Sequence, residues 1–193
     1  MISTALALLL SYVLGSIPTG LWLGLRLRKI DIREHGSKNI GATNTMRALG
    51  KGLGAIALVG DMAKGFVPVV LIAPLSGWEY APIACGLAAI AGHTWSLFLK
   101  FRGGKGVATS AGVFFGLAPI PMGIALAVFL IVVGVTHMVS AGSILAATAL
   151  AVSVFIFSDD LVLRIIATCV ALLVIVRHRD NIRRILAGTE NRI

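Results

Sequence analysis

A chain of 193 residues that is 58% hydrophobic and only 13% charged, with a mean hydropathy of +0.96, is too apolar for a water-soluble domain. Alternating strands of about 10 residues are absent, which argues against a β-barrel and for an all-α polytopic membrane protein whose helices satisfy their own backbone groups. The formal charge of +9 raises nucleic acid as a partner, but the placement of the basic residues marks one membrane face instead, so no nucleic acid is expected.

Ile2 to about Leu25 is apolar and lacks a basic leader, so it is expected to be a retained first span. Gly15-Ser-Ile-Pro-Thr-Gly20 interrupts it, because Pro18 removes a helix hydrogen bond and small residues permit a kink or a close helix contact. Packing and function are equally good reasons for such a kink. A polar stretch follows, with Arg26, Arg28, Lys29, Arg33, Lys38, Arg47 and Lys51 in one loop. The second span runs from Leu53 to about Leu75 and carries Asp61 and Lys64 one helical turn apart, where pairing lowers the cost of burying either charge; alternatively the span begins later and both sit at the interface.

The third span, about Ala81 to Leu99, ends in a basic glycine loop. Val107–Leu117 is short. Beyond the breaker Ala118–Gly123 an apolar helix extends to His137, and Ser140-Ala-Gly142 reads as a turn before a sixth span to Phe157. The last span, Leu161 to Val176, delivers the chain to a basic tail. Cys85 and Cys169 lie in apolar segments without ligand spacing and are expected to be packing residues.

About seven spans place the termini on opposite sides. With the N-terminus outside and the C-terminus cytoplasmic, every Lys and Arg except Arg164 falls on or near the cytoplasmic face, in accord with the positive-inside rule. Merging or folding back the short segment and a neighbour would leave five spans and the same parity.

Three polar stretches then share that face. Gly36–Arg47 concentrates hydroxyls, amides and two cations without a hydrophobic period. Thr43 or Asn44 capping a short helix that ends at Gly50 is one reading. A set of neutral donors, with Ser37 and Asn39, around the phosphate-suited fork of Arg47 is the other. His93–Gly106 contains Gly103-Gly-Lys-Gly106, where glycine backbone, Lys105 and the start of the next helix form an anion cradle suited to phosphate. It is not a Walker A loop. His93, near the end of a span, needs a polar partner; it is expected to brace the loop from within the membrane and to stand among the substrate-binding residues.

The third stretch, His178-x-x-Asn181-x-x-Arg184 with Gly188-Thr-Glu190, places three polar groups one turn apart on an expected helical continuation of the last span. HxxxxD, HExxH and GxSxG arrangements are all missing, which leaves electrostatic positioning as the main catalytic resource.

Taken together, Gly15–Gly20, Ser37-x-Asn-x-Gly-x-Thr-Asn-x-x-Arg47, Asp61-Met-Ala-Lys-Gly65, Gly92–Gly106 and His178–Arg184 with Gly188–Glu190 resemble the acyl-phosphate-dependent glycerol-3-phosphate acyltransferases of bacteria, the PlsY family. The resemblance spans nearly the whole chain, in order. It implies a single integral-membrane domain over residues 1–193 in the bacterial inner membrane, acting at the cytoplasmic face. The activity implied is transfer of a fatty acyl group from acyl phosphate to the 1-hydroxyl of sn-glycerol 3-phosphate, giving lysophosphatidic acid and phosphate. No cofactor and no metal are implied, and the partners are the two substrates and membrane lipid. Ser37, Arg47 and Lys105, with the backbone of Gly103, Gly104 and Gly106, are then expected to bind the phosphates and stabilise developing charge. Asn39, Thr43, Asn44, His178 and Asn181 are expected to orient glycerol phosphate. His178 and a substrate phosphate oxygen are alternative bases, the resemblance favouring the latter. Asp61 and Lys64 are expected to be structural, with Glu190 tying the tail to a basic partner.

Overall fold

Proline and glycine punctuation sets the helix boundaries. In the computed structural model, which describes residues 2–193, the chain divides into two compact units, Met1–Leu117 and Ala118–Ile193.

In the first unit, α1 (Thr4–Ser16) is capped by Ser3, whose side chain accepts from the Leu6 N–H. It stops where Ile17, ahead of Pro18, turns extended, because a residue preceding proline is pushed out of the α region. α2 (Thr19–Leu23) resumes and widens into a π turn, Gly24–Arg28, and the two arms are bent by 49°. After the polar loop come α3 (Ala42–Leu49) and α4 (Lys51–Val67), joined at Gly50, whose φ of 91° favours a residue without Cβ. α4 runs on through a π turn that begins at Pro68 and a 3₁₀ turn ending at Ser76. α5 (Ala81–Thr94) and α6 (Val107–Leu117) complete the unit.

Packing follows the small residues. α1 lies on α5 because Gly15 meets the Ala89 backbone and Gly92 meets the backbone of Tyr12–Ser16. α4 lies on α6 in the same way, Gly65 on Thr109 and Gly112 on Met62. Such backbone-to-backbone contact is how helices associate where lipid removes the hydrophobic drive. Phe114, Val113, Ala57, Ala89 and Cys85 are buried on these helices.

In the second unit, α7 (Pro119–Thr136), α8 (Val139–Phe157) and α9 (Leu161–Arg177) follow one another with short connections. α8 packs on both its neighbours. Asp160 caps α9 by accepting from the Val162 and Leu163 N–H groups. Ser140–Gly142, expected as a turn, is the first turn of α8, since the break falls earlier at His137 and Met138. α10 (Arg179–Leu186) follows a 58° bend. The tail is therefore not a straight continuation of the last span.

Among the described residues, four helical stretches are long and apolar enough to cross a membrane, or six when each bent pair counts as one. The difference from seven lies in α6. Its eleven residues rise only about 16 Å, roughly half a hydrocarbon core of about 30 Å. Leu130, Ile131, Val135, Ile156 and Leu161 lie exposed on the helices of the second unit, as lipid-facing residues would. Cys85 is buried, whereas Cys169 is exposed.

Candidate active site

The polar loop before α3 is built from the inside out. Ile32 is buried with Leu21 and Ile40 and pins the loop to α2. Asp31 accepts from the Arg33 N–H at 2.9 Å and pairs with its guanidinium at 2.6 Å. That pairing holds the Asp31 carboxyl below the usual carboxylate range.

Asn44, 1% exposed, is the centre of the loop. Its Nδ2 donates to Ile32 O at 2.7 Å and to Asn39 O at 2.8 Å, while its Oδ1 accepts from Ser37 N at 2.8 Å. A Cβ at Gly36, which sits at φ 56°, would strike that same Oδ1. Neither Thr43 nor Asn44 caps α3, whose N-cap is Gly41 with no side-chain bond. Asn39 Oδ1 accepts from Gly41 N at 3.0 Å, an Asx turn that leads into the helix. The loop thus presents Ser37 and Arg47 exposed, with Asn39 and Thr43 half-buried between them. Thr45, which its pattern did not single out, is buried, donates to Gly41 O at 3.1 Å and fills the space above Gly20.

The glycine loop is tied back onto the helix that precedes it. α5 ends at Thr94; a 3₁₀ turn and two left-handed residues, Lys100 and Phe101, reverse the chain. Gly103 N then donates to Thr94 O at 3.1 Å and Gly104 N to His93 O at 3.0 Å. A Cβ at Gly103 would strike those two carbonyls, and one at Gly104 would strike His93 Nε2. The glycines are there because backbone lies on backbone. α6 begins immediately afterwards, with Ser110 N to Gly106 O at 2.7 Å as its first bond. The N–H groups of Val107, Ala108 and Thr109 precede that bond and form the positive end of the helix, next to half-buried Lys105. Glycine backbone, helix terminus and cation make up an anion cradle.

The α1–α2 break serves as the dock for this loop. Ser96 Oγ donates to Ser16 O at 2.6 Å, Leu97 N to Ser16 Oγ at 3.3 Å, and Tyr12 OH to Trp95 O at 2.7 Å. Lys64 Nζ donates to Ile17 O at 2.7 Å and pairs with Asp61 at 2.7 Å. Packing therefore accounts for the kink at Pro18, and the carbonyls released there explain why buried donors gather around it. Nothing in the sequence period marked Ser16 or Ser96 for this.

In the second unit, His178 sits buried at the bend between α9 and α10. Its Nδ1 is 2.8 Å from Val174 O. A carbonyl only accepts, so Nδ1 carries the proton and Nε2 is the basic nitrogen of the neutral ring. Asn181 Nδ2, Ser140 Oγ and Arg184 Nε all donate to Glu190, at 2.6, 2.8 and 2.7 Å. Partial burial alone would raise the Glu190 pKa, but the three donors outweigh it and hold the carboxyl below its ordinary value. Glu190 does tie the tail to a basic partner, Arg184, and it fixes the Asn181 amide as well.

Similarity runs the length of the chain. The glycerol-3-phosphate acyltransferase family model matches residues 5–188. A glycerol-3-phosphate acyltransferase of Trichlorobacter lovleyi is 47% identical over 182 residues, covering 94% of this chain and 93% of that protein. One from Fusobacterium nucleatum is 43% identical over 185 residues, 96% and 95% of the respective chains. A crystal structure of PlsY (YgiH), an integral membrane glycerol 3-phosphate acyltransferase in its glycerol 3-phosphate form, superposes with a TM-score of 0.92 at 34% identity, covering 98% of this chain and 95% of that one. The same protein in its lysophosphatidic acid form gives a TM-score of 0.89 at 34% identity, with the same coverage of 98% and 95%. The chain belongs to the glycerol-3-phosphate acyltransferase family, as an all-helical integral membrane member of it.

Proposed function

We propose that this protein transfers a fatty acyl group from acyl phosphate to the 1-hydroxyl of sn-glycerol 3-phosphate, releasing lysophosphatidic acid and inorganic phosphate. The observation that carries the reading is its near-complete likeness to a PlsY crystallised in a glycerol 3-phosphate form and a lysophosphatidic acid form. The donor is a mixed anhydride, already activated, so the protein's task is to hold two phosphates and orient a hydroxyl. One working domain in the bacterial inner membrane, crossing about seven times with the short α6 counted as one crossing, its N-terminus outside and its C-terminus in the cytoplasm, brings the three polar stretches to the cytoplasmic face. The sorting of cations supports that topology.

Lys105, Arg47, Ser37 and the backbone of Gly103, Gly104 and Gly106 bind phosphate and stabilise charge on the acyl phosphate as the hydroxyl attacks. Asn39, Thr43, His178 and Asn181 orient glycerol phosphate, and Asn44 does so through the loop that it holds together. The hydroxyl proton leaves to a substrate phosphate oxygen. His178 orients the substrate, its ring held in place by the Nδ1 bond to Val174 O. The surrounding lipid supplies the acyl donor and receives the product.

Incubating the purified protein with acyl phosphate and glycerol 3-phosphate tests this directly. Equimolar phosphate and lysophosphatidic acid are expected; phosphate release without the lysolipid, or no turnover, refutes it.

A further inference from the structure

Two opposite charges lie buried inside the first unit, among helices that already meet through their small residues. Asp61 is 2% exposed and Lys64 4% exposed, one turn apart on α4. Burying such a pair in an apolar interior is a poor source of stability, because desolvation offsets the attraction. Its neighbours suggest what it does. The Asp61 oxygen that meets Lys64 Nζ also faces His93 Nδ1, 4.0 Å away. On its other side the His93 ring lies against Gly104, with Nε2 where a Cβ would be. His93 is itself 4% exposed, so its ring is wedged between carboxylate and glycine loop. The backbone repeats the link, since Gly104 N donates to His93 O and Gly103 N to Thr94 O. Lys64 meanwhile anchors the carboxylate to the α1–α2 break through Ile17 O, next to the Ser16 carbonyl that receives Ser96. Through His93 and Thr94 this set reaches the glycine loop, and through Ile17 it reaches the break where Ser96 docks.

We propose that Asp61 and Lys64 are positioning residues for the phosphate cradle, acting through His93. The carboxylate sets the orientation of the imidazole, and the imidazole sets how far Gly104 and the start of α6 stand from α5. Lys64 holds the carboxylate in place, being itself tied to Ile17 O. This rests on the acyltransferase reading above. The wild-type protein separates the two: if it forms no lysophosphatidic acid, that reading fails, whereas an active wild type leaves the variants to decide the present one.

The test is a mutant cycle on the full chain in lipid nanodiscs, with Asp61→Asn, His93→Gln and the double variant. The KM for each phosphate substrate is read separately from kcat, alongside thermal stability. Each single variant is expected to raise the KM for at least one phosphate substrate by about tenfold, in line with couplings between contacting residues, and the double variant to be no worse than the poorer single. A double variant whose KM rises multiply overturns the proposal. So does an Asp61→Asn protein that melts earlier while both KM values stay near wild type. Should Asp61→Asn alone fail to fold, Asp61→Asn with Lys64→Met removes both charges together. The raised KM must persist there, and a wild-type KM in that variant also overturns the proposal.

Discussion

Replacing Asn44 separates a residue that touches substrate from one that builds the loop presenting it. Its side chain makes three bonds, from Nδ2 to Ile32 O and Asn39 O and to Oδ1 from Ser37 N. Ser37 is exposed, so its N–H finds water once the partner is gone and little is lost there. The two carbonyls face a side chain that is 1% exposed, and each stranded group costs about 1–3 kcal/mol. Asn44→Ala should therefore loosen residues 32–41 by about 2–6 kcal/mol, with α4 unaffected. Asn44→Asp should be worse than alanine despite its similar shape, because it sets a carboxylate oxygen against two carbonyl oxygens. Amide exchange followed peptide by peptide in nanodiscs reads this: 2 kcal/mol is roughly a 30-fold faster exchange. Activity should fall in step with exchange. If kcat/KM collapses in either variant while the 32–41 peptides exchange as in wild type, Asn44 is a substrate contact and the keystone argument is wrong.

Glu190 gives a pH prediction. Its folded carboxyl binds a proton less readily than the unfolded one, ordinarily at 4.5. The clamp on Asn181, Ser140 and Arg184 is thus at full strength above that value and is lost as pH falls below it. Glu190→Gln should lose about 1.5–3 kcal/mol of tail stability at neutral pH, the range for bonds to a charged group, and should flatten the acid limb of tail proteolysis. An unchanged acid limb refutes the clamp. Glycines should sort by their surroundings: Gly112→Ala drives a methyl into Met62 O and should cost about 1–3 kcal/mol. Gly134→Ala meets open space on α7 and should be neutral or stabilising by up to about 1 kcal/mol; equal melting temperatures for the two would contradict the α4–α6 packing. For His178, alanine and glutamine variants are expected to keep most of kcat while KM rises; a loss of kcat in both makes it the base.

Hydropathy and breakers specify the elements of this protein almost unaided. Apolar length, Pro18, Gly50 and the glycine loop marked where helices run and stop, because backbone satisfaction in lipid and restricted φ, ψ are local constraints. The i,i+3 spacing foretold the Asp61–Lys64 pair because it is short-range, whereas the resemblance gave Glu190 only a basic partner, which the structure identifies as Arg184. Tertiary structure decided what local pattern cannot encode. Whether Asn44 faces substrate or its own loop depends on where Ile32 O and Asn39 O come to rest. That α10 turns away at His178, and that the loop before α6 folds back on His93 and Thr94, was not legible in local pattern. The purpose of the α1 kink was equally invisible: a proline announces that carbonyls are released, but only the packed fold brings Lys64 and Ser96 to receive them.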